Sequence, residues 1–136
     1  MRPKGILETA LYVEDLNKAV QFYGSVLGLE LITIVPGRNI FFRCGEGVLL
    51  LFNAEATRIA LQGPLPVPTH GASGQGHVCF RASSAEIDQW VVRLRSQGVE
   101  IEADFLWPSS GGRSIYFRDP SGNSLEFGEP KIWGLS

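Results

Sequence analysis

Three polar residues stand where strand-like sequence is otherwise apolar: Glu8 in ILETALYV, His77 at the head of HVCFRA and Glu126 in NSLEFG. Two carboxylates and one imidazole form a donor set for a divalent cation. A carboxylate on a covered sheet face is costly unless it is paired or bound to a cation. Strand alternation sets each of the three opposite its apolar neighbours (Leu7 and Leu11, Val78 and Phe80, Leu125 and Phe127). All three are therefore predicted on the concave sheet face that the helices leave open. Taken singly, each admits a structural role: His77 follows Gly-Gln-Gly, Glu8 suits an arginine partner, and Glu126 suits an exposed strand position.

Tyr116 is predicted on the face of Glu126, as a hydrogen-bonding group for a substrate or a general acid/base. Phe41 is its counterpart as a lining aromatic. Arg118 has a twin in Arg43, which favours a turn role beside a substrate-binding one. Cys79 shares the face of His77 but reads as a packing residue rather than a nucleophile, and His70 reads as solvent-exposed. No Ser-His-Asp arrangement is legible, and Gly111-Gly112 is too short for a phosphate loop.

The elements that must position these residues are written twice. Residues 38–52, RNIFFRCGEGVLLLF, return seventy-five positions later as residues 113–127, RSIYFRDPSGNSLEF, with seven of fifteen pairs identical. An internal repeat of this length marks a duplicated supersecondary unit. At this offset Leu51 answers Glu126, so the copies differ where a carboxylate replaces an apolar residue. Leu51 then joins Phe41, Tyr116 and Arg118 as a candidate substrate-lining residue.

In the first copy, Ile6–Val13 alternates as a strand, and Asp15 caps a helix whose stripe is Ala19, Tyr23, Val26 and Leu27, ended by Gly28. Leu29–Val35, Asn39–Arg43 and Val48–Asn53 follow as strands, split by Pro-Gly and Gly-Glu-Gly turns. The second copy runs His77–Ala82, a helix opened by a Ser83–Glu86 capping box with stripe Ile87, Trp90, Val91 and Leu94, then Gly98-Val99-Glu100-Ile101, Gly111–Arg118 and Asn123–Gly128. The spans are module one, 5–54; an extended Pro/Gly-rich connector, 55–75; module two, 76–129; and a tail, 130–136, whose Trp133 is free to dock. Trp107–Gly112 reads as a flap. Each copy is βαβββ.

At 136 residues and 44% apolar content, the chain suits one compact domain rather than a disordered segment. A net charge of −2 gives no reason to expect nucleic acid, and no apolar run approaches a membrane span. Two cysteines are too few for a disulfide framework, so a soluble cytoplasmic protein is expected.

The paired modules, the VEDLNKAVQFYGSVLGLEL entry, the GHVCF strand and the YFRDPSGNSLEF ending resemble the vicinal oxygen chelate superfamily. That group includes glyoxalases, extradiol dioxygenases, fosfomycin-resistance transferases and bleomycin-resistance proteins. The resemblance covers essentially the whole chain. It implies an α+β fold, two tandem βαβββ modules forming a curved eight-stranded mixed sheet around a metal-binding cup. It also implies metal roles for Glu8, His77 and Glu126, a small-molecule substrate, and a homodimer in which Glu8 of one chain meets His77 and Glu126 of the other. The pattern fails at Leu51, where some members carry a fourth ligand, and is altered at Glu8, where many carry histidine. Two carboxylates and one histidine favour Zn, Ni, Mn or Mg and isomerase, lyase or transferase chemistry, with Tyr116 and Glu126 as catalytic candidates. Fe(II) and dioxygenase chemistry form one alternative, and a metal-free drug-binding protein of the bleomycin-resistance type forms another.

Overall fold

The computed structural model describes residues 1–136, with β1 (Glu8–Tyr12), α1 (Leu16–Ala19) running on as a π-helical stretch (Val20–Val26), β2 (Glu30–Val35), β3 (Asn39–Cys44), β4 (Gly47–Phe52) and α2 (Ala54–Thr57) in the first copy. The second copy holds β5 (His77–Arg81), α3 (Ser84–Ser96), β6 (Ala103–Leu106), β7 (Arg113–Arg118), β8 (Ser124–Gly128) and a 3-10 turn (Pro130–Trp133). The eight strands fall into two four-stranded mixed sheets, ordered β1-β4-β3-β2 and β5-β8-β7-β6. In each, the first strand lies parallel to the last and the other pairings are antiparallel. The chain divides into two compact units, Met1–Gly76 and His77–Ser136. No helix is long and apolar enough to cross a membrane.

Local chemistry accounts for the helices. Asp15 accepts from the Lys18 amide at 3.0 Å, and Ser83 with Glu86 forms the reciprocal capping box. Gly28 and Gly98 take φ of +72° and +74° after each helix, a conformation costly for any residue with a Cβ. The first helix departs from the predicted stripe. Its π winding buries Phe22 together with Tyr23 and leaves Val26 only half-buried, because adjacent positions share a face when the turn widens.

Each helix covers one sheet face. Tyr23 lies 6.2 Å from Phe42, and Trp90 stacks on Phe127 at 4.4 Å. The covered face of the first unit carries Leu11, Ile40, Phe42, Leu49 and Leu51, all buried; that of the second carries Phe80, Ile115, Phe117, Leu125 and Phe127.

The strand register corrects the repeat. In the first hairpin Arg43 opposes Val48, whereas in the second Arg118 opposes Ser124, so the second turn is one residue longer. Beyond that turn the structural counterpart of Glu126 is Leu50, not Leu51: Leu50 opposes Ala10 and Phe41 as Glu126 opposes Cys79 and Tyr116. Leu51 faces the helix with no exposed surface and is no substrate-lining residue. The pairs Leu50/Leu125 and Phe52/Phe127, identical in sequence, sit on opposite sheet faces, because a one-residue slip inverts a strand.

The connector also departs from a purely extended run. Asn53 caps α2 by accepting from the Ala56 amide at 3.0 Å, and Arg38 donates to the carbonyls of Ala56 and Ile59.

Candidate metal centre

The longer second turn is built from Asp119-Pro-Ser-Gly-Asn123. Asp119 Oδ1 accepts from the amides of Ser121 and Asn123, each at 2.9 Å, and Oδ2 accepts from Asn123 Nδ2 at 2.8 Å. Both residues are buried, so the turn meets its own polar demands without water. Its length sets Glu126 on the open face.

His77 opens β5 in the adjacent row of that face. Its Nδ1 lies 2.9 Å from the Ser124 carbonyl, an acceptor, so the ring is oriented by a proton on Nδ1 and Nε2 is the nitrogen turned towards the carboxylate. Nε2 faces Glu126 Oε2 at 3.3 Å. Glu126 is 4% exposed, and its Oε1 has no hydrogen-bond partner. That oxygen points beside Gly128, where a Cβ would lie 3.2 Å from it. A buried carboxylate oxygen left unpaired beside a histidine nitrogen held for coordination suits a divalent cation in donor chemistry and orientation. This pair supplies two donors. No three His, Cys, Asp or Glu side chains of one chain form a group able to hold a metal ion.

The neighbours of Glu126 feel its charge. Burial first, and the Glu126 charge second, push the Cys79 thiol up to about 12 and the Tyr116 phenol up to about 12. Both therefore keep their protons at neutral pH. Tyr116 is stacked between His77 at 6.2 Å and Phe105 at 6.0 Å, and Phe105 meets Trp107 edge-on at 4.9 Å. Trp107 closes its turn onto the Gly112 carbonyl and donates from its indole to Ser114 Oγ at 2.9 Å.

The remaining predicted residues divide. Glu8 begins β1 on the open face of the first sheet, opposite Val48, and is exposed. Phe41 lies on the same face, edge-on to Phe52 at 5.5 Å. Arg118 shares the row of His77 and Ser124, but its guanidinium holds Glu102 at 2.7 Å and the Gly122 carbonyl at 3.0 Å, repeating the Arg43–Glu30 pair. That favours the turn role. Sequence reasoning passed over Gly128 and Ile132, whose Cδ1 lies 3.3 Å from a Cβ built on Gly128 and so walls the space beside the Glu126 carboxylate. The small residue after EF was a legible hint for the first; nothing pointed to the second.

Residues 5–127 match the Glyoxalase/Bleomycin resistance protein/Dioxygenase superfamily, and the chain belongs to that family. Among curated relatives, the fosfomycin resistance protein FosX of Listeria monocytogenes is 32% identical over 116 residues, covering 85% of this chain and 81% of FosX. The metallothiol transferase FosB of Staphylococcus epidermidis is 29% identical, covering 84% and 73%. Among solved structures, a lactoylglutathione lyase from Agrobacterium tumefaciens is 46% identical with a TM-score of 0.93, covering 99% of this chain and all of its own.

Proposed function

We propose that this protein is a metal-dependent enzyme performing redox-neutral lyase, isomerase or transferase chemistry on a small substrate with vicinal oxygens. The observation carrying this reading is the buried Glu126 carboxylate, its Oε1 without a hydrogen-bond partner, beside a histidine whose Nδ1 is fixed by the Ser124 carbonyl and whose Nε2 faces that carboxylate. The likeness to proteins named as a metallothiol transferase and a lactoylglutathione lyase supports it. A divalent ion, with Zn, Ni, Mn or Mg favoured over Fe(II), supplies Lewis acidity towards substrate oxygens when bound.

The chain's own residues have distinct tasks. His77 and Glu126 present Nε2 and the carboxylate as donors. Glu8 is supplied by the second chain of a homodimer, which completes the set that no single chain forms. Tyr116, opposite Glu126 and stacked on His77, donates a hydrogen bond to a substrate oxygen or serves as general acid/base.

Elemental analysis of the purified protein tests the reading. About one divalent ion per chain is expected, and none in Glu126→Leu, which carries the residue found at the counterpart position, Leu50. Full occupancy in Glu126→Leu would sink the assignment. Turnover that survives anaerobic assay with Mn, Ni or Zn separates redox-neutral chemistry from the extradiol alternative. A second reading, metal-free sequestration of a flat ligand, draws on the Tyr116–Phe105–Trp107 aromatic stack. It predicts ligand binding that chelators leave unchanged.

A further inference from the structure

His70, expected from sequence to be solvent-exposed, is exposed and yet held in place from several sides. Its amide donates to the Thr57 carbonyl at 3.0 Å, and its Nδ1 meets Tyr12 Oη at 2.6 Å. Its ring stands edge-on to Phe52 at 4.6 Å. The next residue explains how the connector comes so close. Gly71 presses on α2 so tightly that a Cβ would lie 2.8 Å from the Ala54 carbonyl and 2.9 Å from Arg58 Cγ.

A strap needs only the backbone bond and this packing. The imidazole adds something more. In the tautomer in which the Tyr12 phenol donates to Nδ1, the ring proton sits on Nε2, a donor on an exposed residue. Arg58, packed against Gly71 and bonded to Ser73 Oγ at 3.1 Å, adds a guanidinium nearby.

Tyr12 and Phe52 lie on the open face of the first sheet, the face that also carries Glu8. Between them the floor is apolar: Ala10, Leu50 and Phe41. Tyr12 lies four residue steps along the strand from Glu8, about 13 Å between backbone positions. His70, bonded to Tyr12, is thereby set towards the opposite end of the strand from Glu8.

We propose that His70, oriented by Tyr12, is a specificity-determining residue that binds an anionic oxygen group, a carboxylate or a phosphoryl group, at the far end of an elongated substrate. The chelating oxygens of that substrate lie at the Glu8 end, and an apolar stretch crosses Ala10, Leu50 and Phe41. The proposal rests on the metal-site reading for the orientation of the substrate, and on the first unit alone for the subsite itself.

Two measurements on the full chain test it. The sequence has only two histidines, so selective 15N labelling reports each one separately. Titration of the protein, with zinc and without it, with inorganic phosphate and with acetate should move the His70 Nε2 resonance saturably. Tyr12→Phe should weaken that response several-fold. A silent His70, or an equal response in Tyr12→Phe, overturns the subsite.

Calorimetry then compares suberic acid monohydroxamate with octanohydroxamate, which share a chelating head and differ in the terminal carboxylate. The wild type should prefer the carboxylate by about tenfold, as a charge-assisted hydrogen bond warrants. His70→Ala should lose that preference and His70→Gln should recover part of it, with zinc content and octanohydroxamate affinity unchanged. A preference retained in His70→Ala overturns the proposal. A protein that takes up neither zinc nor hydroxamate refutes the metal-site reading instead, and the phosphate titration then decides the subsite alone.

Discussion

Gly128 keeps open the space into which Glu126 Oε1 points. A Cβ at residue 128 would stand 3.2 Å from that oxygen, 2.9 Å from Cys79 Sγ and 3.3 Å from Ile132 Cδ1. Its φ is not positive, so the constraint is room rather than backbone conformation. Gly128→Ala should cost about 1–3 kcal/mol in denaturant unfolding through overpacking. Its metal affinity, read by chelator competition, should fall at least tenfold as the carboxylate is displaced. Unchanged affinity in a destabilised protein would show that the carboxylate does not need this space.

The proposed sharing of ligands between chains is open to complementation. Glu8→Ala and Glu126→Ala should each bind almost no metal alone. Co-refolded, they should regain one site per heterodimer, since one of its two sites keeps Glu8, His77 and Glu126 intact. A monomer in light scattering at micromolar concentration rules the arrangement out.

Asp119 sustains the turn that presents Glu126. Asp119→Ala removes the acceptor for two amides and the Asn123 side chain in a buried place. About 2–4 kcal/mol of stability should be lost. Metal affinity should fall too, because the β7–β8 register loosens. Equal stability to wild type by urea titration would contradict this account.

Arg113 bridges Asp104 and Asp88, linking β7 to β6 and α3. Its hydrogen bond holds the Asp104 carboxyl below the usual aspartate range, and the two carboxylates hold the guanidinium above its own. A depressed folded-state pKa gives stability that is present above the unfolded value, about 4, and lost as pH falls through the folded value. Asp104→Asn should therefore flatten the acid limb of a stability-versus-pH curve below about pH 4 and leave its slope near neutrality unchanged. Parallel acid limbs in the two proteins would remove Asp104 from that role.

Much of this architecture is legible in the residues themselves. The Ser83–Glu86 box, the Gly28 and Gly98 stops and the alternation around Glu126 are local signals, and they gave the second helix, both helix ends and the correct face for Glu126 and His77. Leu51 was misplaced because seven identities support one constant offset, while the one-residue longer turn changes that offset only inside the last strand. The π winding left no periodic trace. His70 was passed over because its partners, Tyr12 and Phe52, are distant in sequence and Gly71 alone hints at the close approach. The proposed third metal donor, Glu8 of a second chain, would be a matter of assembly, which no periodicity within one chain encodes.

The extra residue in the second hairpin also bears on how two copies of one ancestral unit acquire different trades. No gradual exchange of side chains is needed for the two halves to present different residues on the same face. Lengthening a turn by a single codon swaps the inner and outer readings of the whole strand beyond it. Residues that would have faced the helix are then turned to the opposite face of the sheet, and a new set is offered for selection in one step. The Asp119–Asn123 turn is a frame-shift written in space rather than in the gene, and the carboxylate at residue 126 stands on the face that the new frame exposes.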